Sequence, residues 1–291
     1  MISYRDPIIA PYTSMKIGGV VSNLYIPESE SELIDLLRSE HTSDTNVCVL
    51  GHGSNTIFDD HLDNYTVINT KKACPAIELR ERVGPLFFRR YRVYAGASVP
   101  LQGLIRFCAK NNLEAPAYLY SVPGNVGGSV VTNAGKGEKD GRSISDFITS
   151  VAVFDGNRLR HLEKKECQFA FRDSIFQKER WVVLGAMFEM KSSPGRKTMA
   201  QVRERMAFVK RTQDRSHPNA GSVFKRGFRK MPELMGFQIG NAAFSKKTPN
   251  WILNLGGATA RDVKDLIAHA RRLHETRGYG RPKVELHIKS D

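Results

Sequence analysis

Val47-Cys48-Val49-Leu50-Gly51-His52-Gly53-Ser54-Asn55-Thr56-Ile57-Phe58-Asp59-Asp60 decides what kind of α/β protein this chain is. The apolar run ending at Leu50 reads as a strand, and Gly51–Asn55 as the glycine-rich turn that closes it. Upstream, Ser29 and Glu32 form a capping-box pattern before Leu33, Ile34, Leu36 and Leu37, which predicts a short amphipathic helix leading into the strand. A Rossmann dinucleotide site needs a helix to start straight after the turn and receive a pyrophosphate at its N-terminus. Thr56–Asp60 is apolar and acidic without helical periodicity, so that reading is rejected.

A second glycine-rich loop, Pro123-Gly124-Asn125-Val126-Gly127-Gly128-Ser129, is followed by Asn133-Ala134-Gly135. Glycine permits positive φ and lets backbone N–H groups approach an anion, so two such loops suggest a cradle for a diphosphate. Each loop alone reads equally well as an ordinary tight turn.

The 291 residues suffice for two domains, and 41% hydrophobic content is normal for a globular core. No stretch of about twenty uncharged apolar residues occurs, and Met1–Lys16 mixes charged residues and proline where a signal peptide needs an apolar centre. The expectation is a soluble, cytoplasmic protein with no membrane association. Cys48, Cys74, Cys108 and Cys167 are scattered, with no C-x-x-C and no histidine at ligand spacing, which argues against a metal site or a redox pair. The net charge is +14, dispersed through segments such as Lys210-Arg211, Phe224-Lys225-Arg226-Gly227-Phe228-Arg229-Lys230 and Arg271-Arg272. A solvated basic surface or a field attracting nucleotide-type anions accounts for it; no nucleic-acid-binding signature accompanies the charge, so no nucleic-acid partner is expected.

Further along, Pro100 suits the first turn of a helix through Leu101, Leu104, Ile105 and Cys108. Strands are expected over Val130–Thr132, Ile148–Phe154 with an Asp155-Gly156 turn, and Trp181–Phe188. Ser192–Arg196 reads as a connector, placing a domain boundary near residue 195 with helical periodicity beyond it from Met199 to Val209. A last helix is predicted from Thr259, with Asp262 in its first turn and Val263, Leu266, Ile267, Ala270 and Leu273 on one side, ending by Gly278.

Three short constellations carry chemical potential: Phe171-Arg172-Asp173-Ser174, Gly221-Ser222-Val223-Phe224-Lys225, and Glu285 within Lys283–His287. An arginine, a hydroxyl and a carboxylate are together suited to stabilise and protonate an enolate. Spacing does not show that they meet, and individually each has an ordinary reading: a surface ion pair, a turn hydroxyl, an exposed strand residue.

With Thr13-Ser14-Met15-Lys16-Ile17-Gly18-Gly19, Gly51–Asn55, Val122–Ser129, Asn133–Gly135, Phe171–Ser174, Ala220–Lys225, and Asn254 through Ala258–Val263 in this order, the chain resembles the UDP-N-acetylenolpyruvoylglucosamine reductase family. The resemblance spans nearly the whole chain. It implies an α/β (α+β) protein: a vanillyl-alcohol-oxidase-type FAD-binding region of two subdomains, residues 1–195 split near 70, plus a smaller C-terminal α/β substrate domain, residues 196–291. Cofactor contacts would come from Gly51, His52, Gly53, Ser54, Asn55, Pro123, Gly124, Gly127, Gly128, Ser129, Asn133, Ala134 and Gly135. NADPH, the co-substrate, would reduce FAD, whose N5 would pass hydride to the enolpyruvyl group of a UDP-sugar in peptidoglycan precursor synthesis. Ser222 would give the proton, Arg172 and Glu285 would stabilise the enolate, and Lys225 and Arg226 would bind substrate.

The match departs from the family in places. Phe171 stands where tyrosine is frequent, and Arg226 is typical of the short branch lacking an extra tyrosine-bearing loop. The segment from Arg226 to Gly240 is shorter than usual, Thr248-Pro249 replaces a typical histidine-alanine pair, and the ending through Glu285 departs from the usual leucine-glutamate-proline-glutamate pattern. Two alternatives therefore stay open: an FAD oxidoreductase of the same fold acting on another anionic substrate, and a non-catalytic nucleotide-binding relative. Oligomeric state is not readable from the chain.

Overall fold

The computed structural model describes residues 1–40, 45–84, 89–137, 140–179 and 181–290. Among them, α-helices run over Glu30–Glu40 (α1), Leu101–Lys110 (α2), Val126–Val131 (α3), Gly195–Thr212 (α4) and Ala260–Thr276 (α5). The chain divides into two compact units, each drawing on separate stretches of sequence. One comprises Met1–Ser3, Tyr25–Gly51 and Ile68–Val209, the other Tyr4–Leu24, His52–Val67 and Lys210–Asp291. Gly195, inside the expected connector, is the first residue of α4.

The first unit is built on an antiparallel sheet in the order Ile77–Val83, Arg90–Gly96, Val182–Lys191, Ile148–Phe154, Leu159–Glu163. Its central strand, Val182-Val183-Leu184-Gly185-Ala186-Met187-Phe188, reads as a nearly continuous apolar run because both faces of the sheet are covered. Val183, Ala186 and Phe188 join Val93, Leu101, Leu104, Ile105, Cys108, Val126 and Val130 in one buried cluster. Val182 and Leu184 join Leu33, Ile34, Leu36 and Leu37 of α1, with Phe154, in another. Full burial of each such aliphatic side chain stabilises by about 1.5–3 kcal/mol.

Local signals explain the helices. At α1, the Glu32 N–H donates to Ser29 Oγ at 3.2 Å, but the Glu32 carboxylate accepts from the Glu28 N–H at 2.8 Å, one residue earlier than the expected reciprocal bond. At α2, Pro100 is the N-cap and the expected apolar stripe is buried. The expected strand Val130–Thr132 is instead the end of α3. β-Branched residues favour strands, yet here Val126 and Val130 sit one turn apart on the buried face, and that burial overrides propensity. Cys48, Cys74, Cys108 and Cys167 are buried and form no disulfide among the described residues, and burial pushes the Cys74, Cys108 and Cys167 thiols up to about 12, leaving them protonated.

The second unit packs α5 against a four-stranded sheet in the order Asn219–Ser222, Trp251–Asn254, Ala242–Phe244, Gln238–Ile239. Thr259 caps α5 through a full capping box with Asp262, and Val263, Leu266, Ile267 and Ala270 bury the predicted stripe among Ala220, Val223, Phe224, Phe244 and Ile252. Two further pairs complete the unit. Phe224–Arg226 runs antiparallel to Lys283–Val284, and Thr56–Phe58 runs parallel to His287–Lys289. The segment after Asn55 is thus a strand and not the helix that a Rossmann site requires, in agreement with its lack of helical periodicity. Fully buried His274 accepts the Arg229 N–H at Nε2, 2.9 Å, fixing the turn after Phe224–Arg226.

Gly127 is demanded by packing: a Cβ there would stand 2.8 Å from Ala97 Cβ and 3.3 Å from the Ala97 carbonyl oxygen. Gly127→Ala is expected to lower unfolding free energy by about 1–3 kcal/mol through overpacking, measured by urea denaturation. At Gly128, whose Cβ would meet only Asn125 Oδ1 at 3.3 Å, the same change is expected to cost less, because alanine is the better helix former by about 1 kcal/mol.

Candidate functional site

In the first unit the two glycine-rich segments touch. Gly51 lies against the Asn125 amide, so closely that a Cβ would stand 2.7 Å from Oδ1 and 3.0 Å from Nδ2. Asn125 is the N-cap of α3, accepting the Gly128 N–H at a long 3.4 Å. The N–H groups of Val126, Gly127 and Ser129 donate to the carbonyls of Val99, Ala97 and Asn125 at 2.9, 3.0 and 3.0 Å. The second loop therefore spends these backbone donors on its own packing, and Gly127 and Gly128 are not at positive φ. The Ser129 hydroxyl differs: its residue is buried, and it has no hydrogen-bond partner among the described residues.

Asn133–Gly135 and Phe171–Ser174 form one hydrogen-bonded assembly. Ala170 and Asp173 exchange backbone bonds across a two-residue turn in which Arg172 takes a left-handed φ of 53°. Asn133, itself at φ 43°, donates from Nδ2 to the Ala170 carbonyl at 2.8 Å. Ser174 Oγ donates to the helix-end carbonyl of Val131 at 2.6 Å, which also accepts Gln177 Nε2 at 3.2 Å, and the Arg172 guanidinium donates to the Gly135 carbonyl at 2.8 Å. Two non-glycine residues in left-handed backbone, each costing about 1–2 kcal/mol, are sustained by these bonds. Asn133 and Ser174 thus hold the turn, and Arg172, half-buried, is what it presents.

The other expected residues lie in the second unit. Thr13 Oγ accepts the Ile17 N–H at 3.2 Å, folding Thr13–Gly19 on itself, and the Ser14 N–H donates to the Gly53 carbonyl at 2.9 Å. Gly53 is left-handed, φ 64°, and any side chain on it would collide with the Tyr12 carbonyl. The N–H groups of Gly53, Ser54 and Asn55 have no acceptor among the described residues. Three consecutive unspent donors opened by a left-handed glycine suit a phosphate-bearing group, in contrast with the second loop.

Asn55 connects this loop to the C-terminal carboxylate. Its Nδ2 donates to the Glu285 carbonyl at 3.1 Å, and its own carbonyl accepts the His287 N–H at 3.0 Å. The Glu285 N–H donates in turn to the Val223 carbonyl at 2.7 Å, next to Ser222. Ser222 sits at a β-bulge in the pairing of Asn219–Ser222 with Trp251–Asn254. Gly221 makes the bulge possible at φ 73°, with its N–H on Asn219 Oδ1 at 3.1 Å. Ser222 is exposed, and its hydroxyl has no hydrogen-bond partner among the described residues. Asn250 clamps Phe224, two residues on, accepting its N–H at 3.0 Å and donating to its carbonyl at 2.8 Å.

Ser222 and Glu285 are thus brought together on one main-chain framework, with half-buried Lys225 and exposed Arg226 on the strand that follows Ser222. Arg172 belongs to the first unit. Sequence reading misses the joining residues Asn55, as a link to Glu285, and Asn250; it quotes Asn254, whose Nδ2 donates to the Met15 carbonyl at 2.9 Å, only as part of a pattern. The available signal is asparagine in or next to a turn outside helices, one or two residues from a glycine or proline, where its amide bonds to backbone. Among the described residues no group of three metal-ligating side chains occurs, and no helix is long and apolar enough to cross a membrane.

Burial, reinforced by Lys289 and Lys225, pushes the His287 imidazole below its ordinary pKa. The native state then holds it neutral while the unfolded chain protonates it below about pH 6.5, so stability falls as pH drops through that value. Thermal unfolding between pH 8 and pH 5 is expected to show this loss (roughly the imidazole titration range), and His287→Gln is expected to flatten it.

Known proteins resemble the chain in both parts. A family model described as an FAD binding domain matches residues 21–158, and one described as the UDP-N-acetylenolpyruvoylglucosamine reductase C-terminal domain matches residues 213–277. A protein of Syntrophobacter fumaroxidans named UDP-N-acetylenolpyruvoylglucosamine reductase is 34% identical over 91% of this chain and 77% of its own length. One of Fusobacterium nucleatum with the same name is 31% identical over 90% of each. The crystal structure of UDP-N-acetylenolpyruvylglucosamine reductase from Thermus caldophilus superposes over the whole of both chains with a TM-score of 0.78 at 23% identity, a likeness of fold.

Proposed function

The chain belongs to the UDP-N-acetylenolpyruvoylglucosamine reductase family, and from that premise we propose that it reduces UDP-N-acetylglucosamine enolpyruvate to UDP-N-acetylmuramate, with NADPH as the reductant. The observation that carries this reading is the exposed Ser222 hydroxyl on its glycine bulge, stitched through Val223 to Glu285 and through Glu285 to the loop that ends in Asn55. FAD, when bound, would supply the hydride chemistry that links NADPH to the enolpyruvyl double bond. Gly53–Asn55 hold the diphosphate by their unspent N–H groups, and the Ser129 hydroxyl is a further cofactor donor. Gly51 and Gly127 serve by close packing that fixes both loops.

Hydride addition leaves negative charge on the substrate carboxylate and the adjoining carbon. Arg172 offers a planar fork of N–H donors for that carboxylate, which a lysine would not reproduce. Ser222 transfers its hydroxyl proton to the carbon, and Glu285 aids this charge development from the link between the Lys283–Val284 and His287–Lys289 strands. A serine is a weak acid in water, so the transfer requires bound substrate to exclude solvent from the exposed hydroxyl. Lys225 and Arg226, beside Ser222, bind the anionic part of the UDP-sugar.

Ser222→Ala is expected to leave flavin content and bleaching by NADPH intact while slowing reoxidation by the enolpyruvyl substrate by about 10²–10⁴-fold, followed by stopped-flow absorbance. A colourless protein that takes up no FAD, or a flavoprotein whose reoxidation ignores that substrate, would refute the reading. Arg172→Lys is expected to slow the same step while leaving NADPH bleaching unchanged, since the forked contact forms to the substrate carboxylate alone.

A further inference from the structure

Along α5 lies a cavity of about 510 Å³ that the proposed reaction does not use. Lys264, Arg271, Arg272 and Glu275 line its helical wall, spaced so that they share one face of α5. Arg281 stands on the opposite wall, and Ile267, Leu286 and Ile288 give it an apolar floor. Glu285 and His287, which alternate with those floor residues, do not line it, so the cavity is distinct from the Ser222–Glu285 face.

The charges in this cavity do not cancel. Lys264 is matched by Asp59 at 2.6 Å, and Arg281 approaches Glu275 at 3.9 Å. Arg271 has one long bond, 3.4 Å, to the Pro282 carbonyl, and Arg272 has no hydrogen bond or ion pair among the described residues. Burial, with Arg281 as a like charge nearby, disfavours the Arg271 cation. Two neighbouring guanidinium groups therefore stand at a concave surface with no carboxylate within ion-pair distance among the described residues, Glu275, the nearby acid, lying 3.9 Å from Arg281. A merely solvated basic face needs neither the concavity nor the apolar floor, and a cavity of this size suits a nucleotide-sized molecule.

We propose that this cavity is a second binding site for an organic phosphate, its phosphate between Arg271 and Arg272 and its apolar body on Ile267, Leu286 and Ile288. The site takes its chemistry from guanidinium–phosphate pairing and apolar burial, and does not depend on what the flavin reduces. Two sources share that chemistry, a nucleoside phosphate and a lipid-type alkyl phosphate.

The test is a titration of FAD-loaded protein carrying isotope-labelled isoleucine methyl groups with ADP, with hexyl phosphate and with inorganic pyrophosphate, read by NMR. Saturable shifts of the Ile267 and Ile288 methyl resonances are expected with ADP, with hexyl phosphate, or with both, and the effective ligand identifies the source. Joint Arg271→Gln and Arg272→Gln substitution is expected to weaken that binding at least about tenfold, with flavin content and NADPH bleaching unchanged as proof of folding. The proposal is overturned if neither organic phosphate shifts those two methyls, if the double variant binds as tightly as the parent, or if pyrophosphate binds as well as either, which would leave the apolar floor without a role.

Discussion

The Asn55 side-chain amide, donating to the Glu285 carbonyl while the Asn55 carbonyl accepts the His287 N–H, is the constraint around which the second unit's site is organised. It joins residues 230 positions apart in sequence. Each bond contributes about 0.5–1.5 kcal/mol, and leaving the buried part of such a pairing unmet costs more. The value of the arrangement is geometric. The same residue ends the loop whose N–H groups are unspent and ties down the segment carrying Glu285, whose N–H then holds the Val223 carbonyl next to Ser222. Anion-binding loop, carboxylate and hydroxyl share one rigid frame, as a site that must place charge and proton accurately requires.

The two glycine-rich loops divide the labour that one physical idea had given to both. At Gly53, left-handed backbone and unspent donors agree with an anion-binding role. At Gly127 the glycine is required because a helix start lies against Ala97, and the nearby N–H groups already have acceptors in Val99, Ala97 and Asn125. Glycine in a loop thus answers to two demands, donor presentation and close approach.

Much of this was legible in the chain. The α5 cap at Thr259 and Asp262, the α2 stripe and the absence of a helix after Asn55 follow from local rules, because capping and periodicity act within a few residues. The Ser222 and Glu285 positions were legible only through the resemblance of ordered motifs. Val130–Thr132 misled because strand propensity was weighed without knowing that Val126 and Val130 would be buried together. The joining bonds of Asn55, Asn250 and His274 were illegible for a different reason: each reaches a main-chain group brought close only by the fold. The Arg271–Arg272 pair, one basic segment among many in sequence, gains meaning from the apolar strand residues facing it.

The frame at Asn55 is tested most directly by amide hydrogen exchange in Asn55→Ala. With the Glu285 carbonyl released, the Glu285 and His287 amides are expected to exchange faster than in the parent by about fivefold, the equivalent of one hydrogen bond near 1 kcal/mol. Amides of the Val182–Lys191 strand should keep their protection. Unchanged exchange at Glu285 and His287 would contradict the account, because it would show that the segment carrying the carboxylate is held without the Asn55 side chain.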